Sequence, residues 1–183
     1  MNKLFSIGLI IFLFSLTGFK YKAQNTEWTI VSSSVSFKIK NAGFNVDGKF
    51  GDVTGTIFFD VDKNFNNSIN ATISTKSINT GNGTRDSHLN KNEYFNSDNY
   101  PLINMKCALF TKEKDGTFKG YFKLTLKNKT KDVVIPFSFT ETNGKALFKG
   151  VFTINRLDYG VGESSIILSD NATIKLEISV TKK

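Results

Sequence analysis

The densest run of chemically versatile side chains is Arg85-Asp86-Ser87-His88-Leu89, which sets a planar cation, a carboxylate, a hydroxyl and the only histidine of the chain within five positions. Two kinds of chemistry fit it. Asp86 and Arg85 can cap and ion-pair a short helix, fixing it in place, or Arg85 and His88 can meet the polar head of a ligand. Nucleophilic catalysis is poorly supported, because a triad needs a base held against a nucleophile and nothing marks a serine or Cys107 as the partner of His88. The second arginine, Arg156, lies in Asn155-Arg156-Leu157-Asp158-Tyr159-Gly160. It has Asp158 or Asp86 as candidate ion-pair partners. Arginine offers a fixed planar fork where lysine offers a point charge, so two arginines among 22 lysines, both in polar clusters, invite attention.

Other chemistries are excluded by count. A single cysteine, Cys107, allows no disulfide framework, and with one histidine there is no cysteine- or histidine-rich metal module. Asp60-Val61-Asp62-Lys63-Asn64 lacks the glycine and late glutamate of a calcium loop. Gly81-Asn82-Gly83 has no following lysine to make a phosphate loop, and reads as a turn. No metal, cofactor or catalytic residue is expected.

The elements that must position these residues follow from hydrophobic period. Gly81-Asn82-Gly83 opens a helix, with Thr84 the expected N-cap and Asp86 in its first turn. Arg85, His88 and Leu89 then share one face. Almost everywhere else the period is two, the signature of strands with one buried face. Val35, Phe37 and Ile39 alternate with polar residues, as do Ile57 and Phe59, then Ile69, Ala71 and Ile73. Ile103, Met105, Cys107 and Leu109 form one face of the next run. Later runs carry Phe122 and Leu124, Phe137 and Phe139, Phe148 and Phe152, and last Ile174, Leu176, Ile178 and Val180. This makes about eight strands, with Asn41–Gly48 read as a tight connection. Short turns such as Asn143-Gly144 join them, so the sheet is an antiparallel meander, and eight strands can remove their edges by closing into a barrel. The inward set predicted by parity is Phe37, Ile73, Met105, Leu109, Phe122, Leu124, Phe137, Phe139 and Phe152. A barrel of this size is either filled by its side chains or hollow enough for one small ligand, and the sequence leaves both open.

The chain has 183 residues, 13% aromatic, with 24 Lys+Arg against 16 Asp+Glu. Its lysines are spread along the chain, as on a solvated sheet surface. A nucleic-acid partner is not expected. Residues 1–23 differ from the rest: Lys3, an apolar run from Leu4 to Phe19, then Tyr21-Lys22-Ala23. That is the layout of a secretory signal peptide, too short for a comfortable membrane span. The expected organisation is a signal peptide over 1–23 and one domain over 24–183.

These pieces together resemble the YceI family. The resemblance is carried by Val35-Ser36-Phe37-Lys38-Ile39-Lys40 with Gly43-Phe44, Val46-Asp47-Gly48-Lys49-Phe50 and Gly55. It continues through Ser77-Ile78-Asn79-Thr80-Gly81, Arg85-Asp86-Ser87-His88-Leu89, Tyr94-Phe95 and Tyr100-Pro101. It ends with Leu124-Thr125-Leu126, Thr130-Lys131 with Pro136, and the stretch from Asn155 to Gly160. It runs in order from Trp28 to the C-terminus. It departs at Asn128, where the family often has glycine. The resemblance implies an all-β, lipocalin-like antiparallel barrel, periplasmic or secreted, that binds a long polyisoprenoid or similar amphiphilic chain in its interior. The function expected from it is sequestration or carriage, without catalysis, of a polyisoprenoid, isoprenoid quinone or fatty amide. Arg85, His88 and Arg156 would then stand with the inward apolar residues as ligand contacts, and Asp86 and Asp158 as a structural polar cluster. No stable membrane insertion is expected after cleavage, and a homodimer is left open. The rival readings are an enzyme acting on a bound lipid through Arg85, Asp86 and His88, and a solid-cored surface interaction protein.

The leader reading predicts a mature N-terminus near Gln24. N-terminal sequencing of the product exported by the native host tests it, and a membrane-bound product still beginning at Met1 would refute it.

Overall fold

A computed structural model describes residues 25–63 and 66–183, so the expected leader at 1–23 lies outside the described residues. Among these residues the chain forms nine strands and one α-helix. They are β1 (Glu27–Asn41), β2 (Phe44–Phe50), β3 (Thr54–Phe58), β4 (Ser68–Ser74), α1 (Gly83–Leu89), β5 (Leu102–Lys112), β6 (Phe118–Leu126), β7 (Lys129–Thr142), β8 (Lys145–Asn155) and β9 (Leu168–Lys182). From β3 onward each strand pairs antiparallel with the next. The first and last strands then meet along almost their whole length, from Trp28 opposite Lys182 to Asn41 opposite Leu168. That ladder closes the sheet into a barrel and leaves neither long strand as an open edge.

Nine segments occupy eight barrel positions. Both β2 and β3 pair with β1, at opposite ends and in one register: Val35 faces Phe50 and Glu27 faces Phe58, eight residues away on each strand. They are one wall strand broken at residues 51–53. The stretch Asn41–Gly48, read from sequence as a connection, is therefore a hairpin. Ala42 and Gly43, both at positive φ, form its two-residue turn, and Phe44 starts β2.

Two irregularities set which side chains face inward. A register shift between Ile30 and Ser32 on β1 lets both Trp28 and the later Phe37 point inside. A second, between Cys107 and Leu109 on β5, reverses the outer half of that strand. An extra residue in one strand flips every side chain beyond it. Leu109, expected inside, is 59% exposed on the outer wall, and Phe110 takes the interior place.

One end of the barrel is solid. Phe59 is fully buried, with ring centroids of Phe110, Phe118, Phe137, Phe139 and Phe148 all within 5.8 Å of its own. Trp28 packs edge-on against Phe139 and donates its indole N–H to the Phe59 carbonyl at 2.9 Å. Offset and edge-to-face pairs of this kind add to the burial of the rings themselves. Among the described residues no helix is long and apolar enough to cross a membrane.

Truncating the hub of this plug leaves a ring-sized void with five aromatic neighbours that cannot all collapse into it. Phe59→Ala is expected to destabilise the protein by about 3–5 kcal/mol, lowering the thermal midpoint by roughly ten degrees in a domain of this size. A calorimetric midpoint within a degree or two of wild type would mean that the plug does not hold the barrel together.

A candidate ligand cavity under a helical cap

Above the plug the barrel is hollow. A cavity of about 630 Å³ is lined from every strand, by Phe37 and Ile39 of β1, Val46 and Phe50 of β2, Ile57 of β3, Ile73 of β4, Met105 of β5, Phe122 and Leu124 of β6, Phe137 of β7, Phe152 of β8 and Ile174 of β9, among others. This lies within the usual size of a small-molecule site, and such sites are mostly apolar with a few placed polar groups. Two glycines make room for its rings. A Cβ on Gly48 would lie 2.3 Å from the Phe37 ring opposite it, and one on Gly120 would lie 2.4 Å from the Phe122 ring. Both rings therefore lie back against bare backbone.

Of the residues expected inside, Phe37, Ile73, Met105, Phe122, Leu124, Phe137 and Phe152 line the cavity. Phe139 lies inside the barrel but belongs to the plug, packed on Trp28, Phe59 and Phe148 below the cavity floor. Leu109 is outside.

The polar groups gather at the opposite end. There the chain leaves β4, makes a long excursion through α1 and returns at β5. The excursion is fastened to β2 by paired backbone bonds between Lys49 and Asn79, 2.8 Å each way, and by the Gly51 N–H donating to Ser77 Oγ. Asn82, not the expected Thr84, caps α1, its side-chain oxygen accepting the Arg85 N–H at 3.0 Å. Thr80 is the pivot. Its N–H and hydroxyl both donate to Asp86 Oδ1, at 2.9 and 2.6 Å. Arg85 Nε donates to the same hydroxyl at 2.8 Å, and Nη2 to the Thr80 carbonyl at 2.9 Å. Asp86 is thereby tied to its own segment. Arg85 lines the cavity with its Nη1 making no hydrogen bond among the described residues. His88 packs edge-on against Tyr94, with centroids 5.1 Å apart, and both line the cavity. Asn82, Thr84 and His88 are exposed as well as lining, so the cavity reaches solvent here.

Arg156 borders the cavity from the far side but faces the backbone of its own loop and of the start of β9. Buried in the last loop, it donates to the carbonyls of Ser169, Val161, Glu163 and Leu168 at 2.8 to 3.3 Å, and pairs with Asp170 at 3.2 Å. Neither expected partner meets it. Asp86 is held by Thr80, and Asp158 points to solvent from the 3-10 turn Arg156–Tyr159. Arg156 positions the mouth loop, a role that fits its fork better than contact with a ligand. Lys127, at positive φ in the β6–β7 turn, donates to the carbonyls of Gly160 and Asn92 and links the two loops of the mouth. Burial and the neighbouring Lys129 lower its pKa, while Glu93 opposes them.

Among the described residues no base is held against a nucleophile. His88 makes no contact with a carboxylate among the described residues. The Cys107 thiol is buried in the wall, and burial pushes its pKa up to about 11. A thiol held protonated is a poor nucleophile and a poor metal ligand. Among the described residues no cluster of three or more His, Cys, Asp or Glu is placed to hold a metal ion.

Sequence reasoning named the arginines, the histidine and most of the wall, but missed Thr80 as the pivot and Tyr94 as the partner of His88. Adjacent Tyr94 and Phe95 in an otherwise polar stretch were the available signal. The solved structures that this barrel resembles include Burkholderia cenocepacia BcnA, with a TM-score of 0.78 at 24% identity, covering 81% of this chain and 96% of that one. The YceI protein of Campylobacter jejuni aligns with a TM-score of 0.70 at 28% identity, over 76% and 86% of the two chains. A polyisoprenoid-binding domain from Saccharophagus degradans shares the fold at 12% identity, with a TM-score of 0.68, over 87% of this chain and all of that one. In sequence, a UPF0312 protein of Pseudomonas syringae pathovar tomato is 29% identical over 134 residues, 69% of this chain and 70% of its own. One from Vibrio parahaemolyticus is 23% identical over 180 residues, 91% and 93% of the two chains. The model of the YceI-like domain matches residues 28–180, from the plug tryptophan to the closing strand, and the chain belongs to that family.

Proposed function

We propose that the protein sequesters or carries a long apolar chain, of the polyisoprenoid, isoprenoid quinone or fatty amide kind, in its barrel and without catalysis. The observation that carries this reading is a cavity with predominantly apolar walls, a solid aromatic floor and Arg85 and His88 at its open end. At about 30 Å³ for each water-sized group, its volume admits a chain of the order of twenty carbons. Each buried methylene contributes roughly 0.8 kcal/mol, so tight binding needs few polar contacts. The fold shared with the polyisoprenoid-binding domain from Saccharophagus degradans supports the same class of ligand. The leader-like segment 1–23 supports action outside the cytoplasm, in the periplasm or the medium. At the mouth, Arg85 Nη1 is the donor best placed to choose a head group, with His88 beside it.

Mass spectrometry of lipid extracted from purified protein is expected to find a long-chain amphiphile at close to one per barrel. Arg85→Ala is expected to weaken a chain with an anionic or amide head by roughly 1.5–3 kcal/mol, the size of a hydrogen bond to a charged group. A headless chain of the same length should bind unchanged. Asp86→Ala should lower the thermal midpoint through the lost Thr80 anchor and leave affinity alone. If Arg85→Ala moves only the midpoint, the cluster is purely structural. Turnover of a bound lipid that His88→Ala abolishes would make the protein an enzyme.

A further inference from the structure

The barrel mouth carries an apolar lip that stands largely exposed among the described residues. At the tip of the β1–β2 hairpin, Phe44 lies opposite Asn41 and two residues before Val46, both of which line the cavity. Strand alternation puts Phe44 on that same interior face, yet it stands beyond the rim and is 78% exposed. Beside it, the loop leading into β9 presents Ile166 fully exposed and Ile167 57% exposed, directly before Leu168 of the cavity wall. The two tips are locked together. The Ala42 N–H donates to the Ile167 carbonyl at 2.7 Å, and Ser165 Oγ accepts the N–H groups of Ile167 and Leu168.

We infer that this lip is a docking surface for a lipid bilayer, through which the cavity is loaded and emptied. The inference rests on the carriage reading and names the partner it requires. A long apolar chain resides in a lipid phase, and transfer through water exposes every methylene. The lip is continuous with the cavity wall, so a chain leaving a bilayer into which Phe44, Ile166 and Ile167 are inserted meets apolar surface along the whole path. Charge does not select the membrane here. Exposed Lys40 stands beside the hairpin and exposed Glu163 on the neighbouring loop, so opposite signs flank the lip. Docking is therefore driven by apolar insertion into the interfacial region, and it persists in salt that would screen surface charge.

The test uses phosphatidylcholine vesicles containing a quarter phosphatidylglycerol, and a dansyl-labelled geranylgeranyl amide as ligand. The double variant Phe44→Ser/Ile166→Ser, whose sites are exposed and whose thermal midpoint should match wild type, is expected to lose vesicle co-sedimentation by about tenfold or more. Uptake of the amide from vesicles should slow to the same degree. Uptake from cyclodextrin should stay within about twofold of wild type, since the cavity itself is intact. Separately, Phe44→Trp should shift its emission to the blue on adding vesicles. The only other tryptophan, Trp28, is buried in the plug at the far end. Wild-type protein that ignores vesicles, or a double variant that loads from them at the wild-type rate, overturns the inference. So does a wild-type dimer that the double variant converts to monomer, because the lip is then covered by a second copy. If neither protein takes the amide from cyclodextrin, the carriage reading fails by itself, and co-sedimentation without ligand still judges the docking.

Discussion

The pairing of β1 with β9 is the contact on which the rest depends. Each strand is 15 residues long, and left unpaired each would present a row of backbone donors and acceptors to any passing strand. Joined, they turn a twisted meander into a wall with a closed interior, and only then does the period-two pattern of the other strands define an inside. The ladder is not regular. Its shift near Val31 is what allows the lower half of β1 to contribute Trp28 to the plug while the upper half contributes Phe37 and Ile39 to the cavity. An unbroken ladder would send one of these sets into solvent.

The interior is graded along the barrel axis. At the end where β1 begins and β9 finishes, rings meet ring to ring around Phe59 and leave no room. Toward the other end the inward residues are mainly aliphatic, and the Phe37 and Phe122 rings leave the lumen open by lying back over Gly48 and Gly120. The long excursion between β4 and β5 and the loop before β9 cover this end, packing Tyr94, Phe95, Tyr159 and Val161 against Leu124 and Leu126 of β6. Both are braced by hydrogen bonds from charged groups to backbone oxygens. Arg85 holds the Thr80 carbonyl, Arg156 holds two carbonyls of its loop and two at the start of β9, and Lys127 ties one loop to the other. Such bonds are individually stronger than neutral ones, and they add to the small apolar cluster that seats the cap on β6.

The alternation along each strand was legible because the barrel wall imposes it. The bulge in β5 was not. Leu109 and Phe110 are both large and apolar, so either can take the inward place, and the choice depends on pairing with Tyr121 and Gly120 of the next strand. Asn82 and Thr84 are both competent helix caps two residues apart, and the winner was decided by where the chain leaves Thr80. The partners of Arg156 carry almost no sequence signal, since four of them are carbonyls that every residue possesses. Whether the barrel is filled or hollow depends on summed side-chain volumes and on how far each ring lies back, quantities that a pattern of inward letters does not contain. The apolar lip was hidden for a related reason. Phe44 follows the inward alternation faithfully, and only the length of the hairpin carries it past the rim.

A tube with one solid end is also a measuring stick. Any chain that enters must travel tail first toward the Phe59 floor and stop there, so its length decides where its other end comes to rest. A chain that matches the depth leaves its head level with Arg85 and His88. A shorter one must either draw its head down among the apolar walls or leave empty space above the floor, and a longer one pushes its head past the lip. Discrimination by length would then come from the distance between an aromatic floor and a polar rim, with no side chain that reads length directly.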